Sequence, residues 1–226
     1  MKKDLTELVF ILDMSGSMAH LTDDTVGGFN SVLKEHNDGK GEVLVTTYLF
    51  NNESKMIHDR LPIAEVPPMT GKDYSARGCT ALLDALGQAI EHIVGIHRYA
   101  REEDIPEHTI FVITTDGMEN ASHKFSAEHI KDKIKQEQEK YGWEFIFLAA
   151  NIDAVETAEA YGIDRSRAVN YLADGEGTQE VYASVSCAMR NVRECGSVAA
   201  DPSWRDRIDA DYKRRNNKAQ EEQIWL

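Results

Sequence analysis

The chain has little cysteine: three in 226 residues, an odd number with no Cys-x-x-Cys pair. That argues against a disulfide framework or a zinc ribbon. Cys187 and Cys195 fall on one predicted helix, where eight residues at roughly 1.5 Å of rise separate them by about 12 Å, too far to bridge. All three cysteines are expected to serve as small buried hydrophobes. Long apolar runs are also missing, and none approaches the roughly 20 residues of a membrane helix. Basic charge is short: 25 Lys and Arg stand against 39 Asp and Glu, a net charge of −14. Such a chain repels nucleic acid and anionic membrane at long range, so neither is an expected partner. The segment "MKKDLTELVF" has a short apolar stretch carrying Asp4 and Glu7, so no signal peptide is expected and a cytoplasmic location is. There is no GxxxxGK[ST], no GxSxG and no HExxH. "EHNDGKGE" (35–42) lacks the acidic spacing of a calcium loop and reads as a turn. Internal repeats and low-complexity linkers are absent as well.

What is present suffices for a core, since 42% of the residues are hydrophobic. Short apolar runs recur at 8–13, 42–50, 108–116, 143–151 and 167–173. Most are nearly continuous Val, Ile, Phe and Leu, the mark of strands buried on both faces of a parallel sheet. Helical spacing appears between them. It covers 80–100, 126–141 behind the N-cap Ser126, 152–161 ended by Gly162, and 178–193. Residues 17–37 read as helical but interrupted at Gly27 and Gly28. The alternation predicts right-handed βαβ units in a three-layer α/β/α, doubly wound, Rossmann-like fold with a mostly parallel sheet. "TTYLFNNESKMIHDRLPI" reads as a hairpin, which adds one antiparallel edge strand. One domain is expected over 1–195, with 196–226 a helical extension or tail.

In such a sheet, ligands bind beyond the carboxyl ends of the strands. The first strand delivers Asp13, Ser15 and Ser17 there, with Gly16 permitting a tight bend. The 108–115 strand delivers Asp116 and Gly117, and Thr80 opens the 80–100 helix. These are hard oxygen donors, suited to Mg²⁺, Mn²⁺ or Ca²⁺ and unsuited to zinc or copper. Thr70 competes with Thr80 but lies in a Pro-rich loop. Glu119, Asn120 and Ser122 sit close by in sequence, suited to orienting water, to partner contact or to a helix start. Asp84 reads as structural, and His20 as a surface group.

"DMSGS", "GCTALLDAL" and "ITTDGMEN" together resemble the von Willebrand factor A (VWA) domain with its metal ion-dependent adhesion site (MIDAS). Asp13, Ser15 and Ser17 match its D-x-S-x-S, Thr80 its threonine and Asp116 its later aspartate, with no departure at the five positions. The resemblance covers roughly 5–173, in a style similar to compact intracellular bacterial and phage members. It implies a Mg²⁺-dependent binding module whose ion captures an Asp or Glu of a partner protein. Some similar proteins act with an AAA+ ATPase or an assembly complex. Two rival readings stand beside it. One is a Mg²⁺-dependent phosphohydrolase, which needs an acid where Ser15 stands, so no enzyme is expected. The other is a structural VWA domain with a vestigial site.

Overall fold

The computed structural model describes residues 1–224, with side chains through residue 216. Its sheet has six strands, β1 (Lys2–Asp13), β2 (Glu42–Phe50), β3 (Ser54–Pro62), β4 (Pro106–Thr115), β5 (Glu144–Ala150) and β6 (Ala168–Tyr171). They lie in the order β3-β2-β1-β4-β5-β6, all parallel except the edge strand β3. The expected hairpin is therefore β2–β3. Helices α1 (Thr22–His36), α2 (Leu82–Tyr99), α3 (Ala127–Tyr141), α4 (Ala154–Ala160), α5 (Gly175–Cys195) and α6 (Asp206–Ile224) complete the chain.

Period-two alternation within β1 divides the core. Leu8, Phe10 and Leu12 face one side, where Phe29 and Val32 of α1 and Val181, Val185 and Met189 of α5 cover them. Val9 and Ile11 face the other, under Leu82, Leu86 and Ile90 of α2 and Ile130 and Ile134 of α3. Both faces are buried, so the strand has no polar face to show in its sequence. Trp204 and Ile208 join the first cluster, so the segment after 195 packs on the domain. Side chains of the predicted tail beyond 216 lie outside the described residues.

Two expectations need correction. The interruption in 17–37 does not fall at Gly27 and Gly28. A 3-10 turn over Gly16–Leu21 passes into α1 at Thr22, and both glycines lie within the helix. A side chain at Gly28 would strike the Tyr182 ring at 2.0 Å, so the glycine permits close approach of α1 and α5. The cysteines are not buried hydrophobes. Cys79 and Cys195 are exposed and Cys187 is half-buried, because Cys79 sits in a surface loop and Cys195 at a helix end.

At the end of α1, His36 is buried and its Nδ1 lies 3.1 Å from Arg193 Nη1. A guanidinium only donates, so this imidazole accepts and is neutral. Burial, then the Arg193 charge, lowers its pKa from 6.5 to about 4. The unfolded chain therefore binds the proton first as pH falls, and stability is lost between about pH 6.5 and pH 4. From pH 7 to pH 5 this group should remove about 2 kcal/mol. Urea titrations should show His36→Gln losing less stability than wild type over that interval, by about that amount.

Candidate functional site

The strand order reverses between β1 and β4, and the crevice at their carboxyl ends is where such sheets offer a site. Asp13 ends β1, fully buried. Its Oδ1 accepts the Ser15 backbone N–H at 2.6 Å, and its Oδ2 accepts the Thr115 hydroxyl at 2.6 Å. Tyr74 OH donates to the Asp13 carbonyl. Ser15 Oγ lies 3.2 Å from Ser17 Oγ, and Ser17 Oγ donates to Asp116 Oδ1 at 2.6 Å. A methyl group built on Gly117 would sit 3.4 Å from Thr80 Oγ1 and 3.7 Å from Ser17 Oγ, so both hydroxyls border the same turn. All five candidate donors thus gather at one edge of the sheet. Thr70 is elsewhere in function: exposed, with its hydroxyl donating to Asp73 at 2.7 Å.

Neighbouring loops hold this arrangement by backbone contacts. Met14 N donates to Phe50 O at 2.7 Å, Arg77 N to Met14 O at 2.8 Å and Gly16 N to Gly78 O at 3.0 Å. Gly78 has φ +79°, and a Cβ there would meet Asn52 Oδ1 at 2.1 Å, so this position favours glycine. Asn120 clamps Thr80 in both directions. Its Oδ1 accepts Thr80 N at 2.9 Å, and its own N donates to Thr80 O at 3.0 Å.

The segment 119–125 does not start a helix; α3 begins at Ala127. Instead its side chains organise α2. Glu119 accepts from Leu83 N at 2.9 Å and from Ser122 Oγ at 2.8 Å. Asp84, structural as expected, accepts the backbone N–H groups of His123, Lys124 and Phe125 at 2.8–3.0 Å. His20 is exposed yet fully engaged. Its ring nitrogens lie 2.8 Å from Ser17 O and 2.9 Å from Ala173 O. Two carbonyl acceptors require both nitrogens to donate, which favours the imidazolium, and the Ala173 carbonyl chiefly raises its pKa. Thr115 and Tyr74 had no place in the expected site, and Asn120, expected to orient water, contact a partner or start a helix, clamps Thr80 instead. Each acts across 40 or more residues of sequence.

Two observations bear on whether these residues suit a hard divalent ion. Asp116 is buried, and its Oδ2 has no hydrogen-bond partner, which is costly for a carboxylate oxygen unless something completes it. The oxygens that converge are hydroxyls and carboxylates, the donors such ions take. Among the described residues no group of three or more His, Cys, Asp or Glu is placed to hold a metal. This site would rely on two carboxylates and three hydroxyls. Desolvation by burial, only partly offset by the Thr115 and Ser15 hydrogen bonds, pushes the Asp13 carboxyl up to about 6.

The sequence matches no protein-family model and no curated protein. Solved structures do match the fold. Proximal thread matrix protein 1 (PTMP1) from the mussel byssus superposes with a TM-score of 0.54 at 14% identity, over 82% of this chain and 46% of that one. The pilus adhesin SpaC from Lactobacillus rhamnosus GG gives 0.61 at 11% identity, over 83% of this chain and 30% of that one. The likeness is one of fold. It is compatible with a VWA-like α/β arrangement, and this chain spans less than half the length of either neighbour. No described helix is long and apolar enough to cross a membrane.

Proposed function

We propose that this chain is a metal-dependent protein-binding module of the VWA type, and not an enzyme. In this reading Asp13, Ser15, Ser17, Thr80 and Asp116 hold Mg²⁺, with Mn²⁺ or Ca²⁺ as substitutes. The observation that carries it is that the Ser15, Ser17 and Asp116 side chains link in one chain of close polar contacts, with Thr80 bordering the same turn, while the buried Asp116 Oδ2 has no partner. A hard divalent ion supplies a Lewis-acidic position that a partner carboxylate can complete. The chain's own residues do the rest. Asp13, already accepting from Ser15 and Thr115, fixes the loop that aims the two serine hydroxyls. Asn120 fixes Thr80. Arg77 is exposed near the site and Met118, 72% exposed, follows Gly117, so a partner would meet a cation and an apolar side chain beside the ion.

With a net charge of −14, attraction of an acidic partner would be local to the ion and screened within about 8 Å at physiological salt. The partner class is a protein offering Asp or Glu. A cytoplasmic AAA+ ATPase or assembly complex, in a bacterial setting, is the resemblance's suggestion of which. Calorimetric titration with Mg²⁺ and Mn²⁺ tests the reading. Wild type should bind, and Asp116→Ala should bind at least about tenfold more weakly, the loss of one charged ligand. Equal affinity in both would sink the proposal.

A further inference from the structure

The opposite, amino edge of the sheet holds a second feature. The C-terminal ends of α2 and α3 meet the start of β5 around a cavity of about 350 Å³. Glu137 lines it, in the last turn of α3. Its side chain is buried at 3% exposure, and its Oε2 has no hydrogen-bond partner. A buried carboxylate left this way is costly, and a helix C-terminus adds negative potential to it. Burial pushes its pKa up, and the charges of Lys140, His97, Lys133 and Arg98 pull against that. Of these, Lys133 is held by Glu91 at 3.0 Å, and Lys140 Nζ sits over the Tyr141 ring at 4.7 Å from its centroid. His97 is engaged on its other side, with Nε2 2.6 Å from the fully buried Glu7.

The walls are therefore arranged by polarity. Glu137 offers a carboxylate that feels these cations only at a distance and, among the described residues, makes no ion pair, with its Oε2 unpartnered. Arg98 and Lys140 line the cavity too, and both are exposed. Among the described residues neither makes an ion pair. Trp143, stacked on Phe111 and edge-on to His97, supplies a rigid apolar wall. An anion alone would leave Glu137 unpaired, and a simple amine would leave the two cations unused. We propose that this cavity takes a small zwitterion of the α-amino-acid class, with its ammonium on Glu137, its carboxylate on Arg98 and Lys140, and its side chain against Trp143.

The test is calorimetry and thermal shift with the twenty free L-amino acids at millimolar concentration. For each binder, matched half-ligands follow: the alkylamine and the alkylcarboxylate of the same side chain. At least one amino acid should raise the melting temperature and saturate, with each half-ligand at least about tenfold weaker. Glu137→Gln should weaken binding by about tenfold or more. Asp13→Asn, at the other edge, should leave it unchanged. If Glu137→Gln does not fold, Arg98→Ser with Lys140→Ser carries the comparison. Three results would each overturn the proposal. They are no binding by any amino acid, a half-ligand as tight as its amino acid, or a foldable variant of these residues with undiminished affinity.

Discussion

Asp13→Asn should make the metal-free protein more stable at neutral pH while removing its response to Mg²⁺. Asp13 is fully buried, and desolvation raises its pKa from 3.8 to about 6. The folded state therefore holds this proton where the unfolded state has released it. The stability this provides is complete below about pH 3.8 and lost as pH rises through about 6. In EDTA at pH 7, ionised Asp13 should cost about 2–3 kcal/mol relative to an uncharged side chain.

Asparagine fits the same contacts. Its Oδ1 can accept the Ser15 N–H. Its amide can donate to Thr115 Oγ1, whose own proton then turns to Gly117 O, 3.1 Å away. Urea denaturation in EDTA at pH 4 and pH 7 is the measurement. Wild type should lose stability relative to Asp13→Asn across that interval, opposite in sign to the His36 effect. Added Mg²⁺ should raise the stability of wild type alone, by mass action. A wild type more stable than Asp13→Asn in EDTA at pH 7 would mean that the carboxylate is held by contacts rather than strained by burial.

Only some parts of this site can be read from the chain. Asp13, Ser15 and Ser17 are legible because alternate spacing in one loop is a local pattern. Asp116-Gly117 is legible because it ends an apolar strand. The strands were legible because burial on both faces leaves near-continuous Val, Ile, Leu and Phe. Thr115, Tyr74, Asn120, Glu119 and Asp84 work through partners 36 to 102 residues away, apart from Glu119's own loop. No spacing rule connects such pairs before the topology does. The start of β1 was missed for a related reason. Lys2, Lys3 and Asp4 look like a solvated end, yet Lys2 pairs with Pro106 of β4. Gly28 misled because glycine in a helix reads as a break, whereas here Tyr182 occupies the space its missing side chain leaves.

Glu7 was equally invisible, and it sets the largest expected stability effect. It sits mid-strand in β1 with 0% exposure, between Arg60 Nε at 2.6 Å from Oε1 and His97 Nε2 at 2.6 Å from Oε2. The Arg60 contact is close but is not aligned as a hydrogen bond, so attraction of charges carries it. A buried ion pair contributes little net stability, because desolvation offsets the attraction, but removing one partner leaves a buried charge uncompensated. Arg60→Leu should therefore destabilise the protein by about 3–5 kcal/mol. Leucine meets the same backbone demand at this positive φ of 48°, so extra strain does not distinguish it from arginine. Adding Glu7→Leu should recover most of that loss, since an apolar pair of similar size is often as stable as the ion pair it replaces. Chemical denaturation of wild type, both single variants and the double variant gives the coupling directly. Additive losses in the double variant would mean that Glu7 is compensated by His97 alone. Glu7 would then hold the wall of the amino-edge cavity without help from β3.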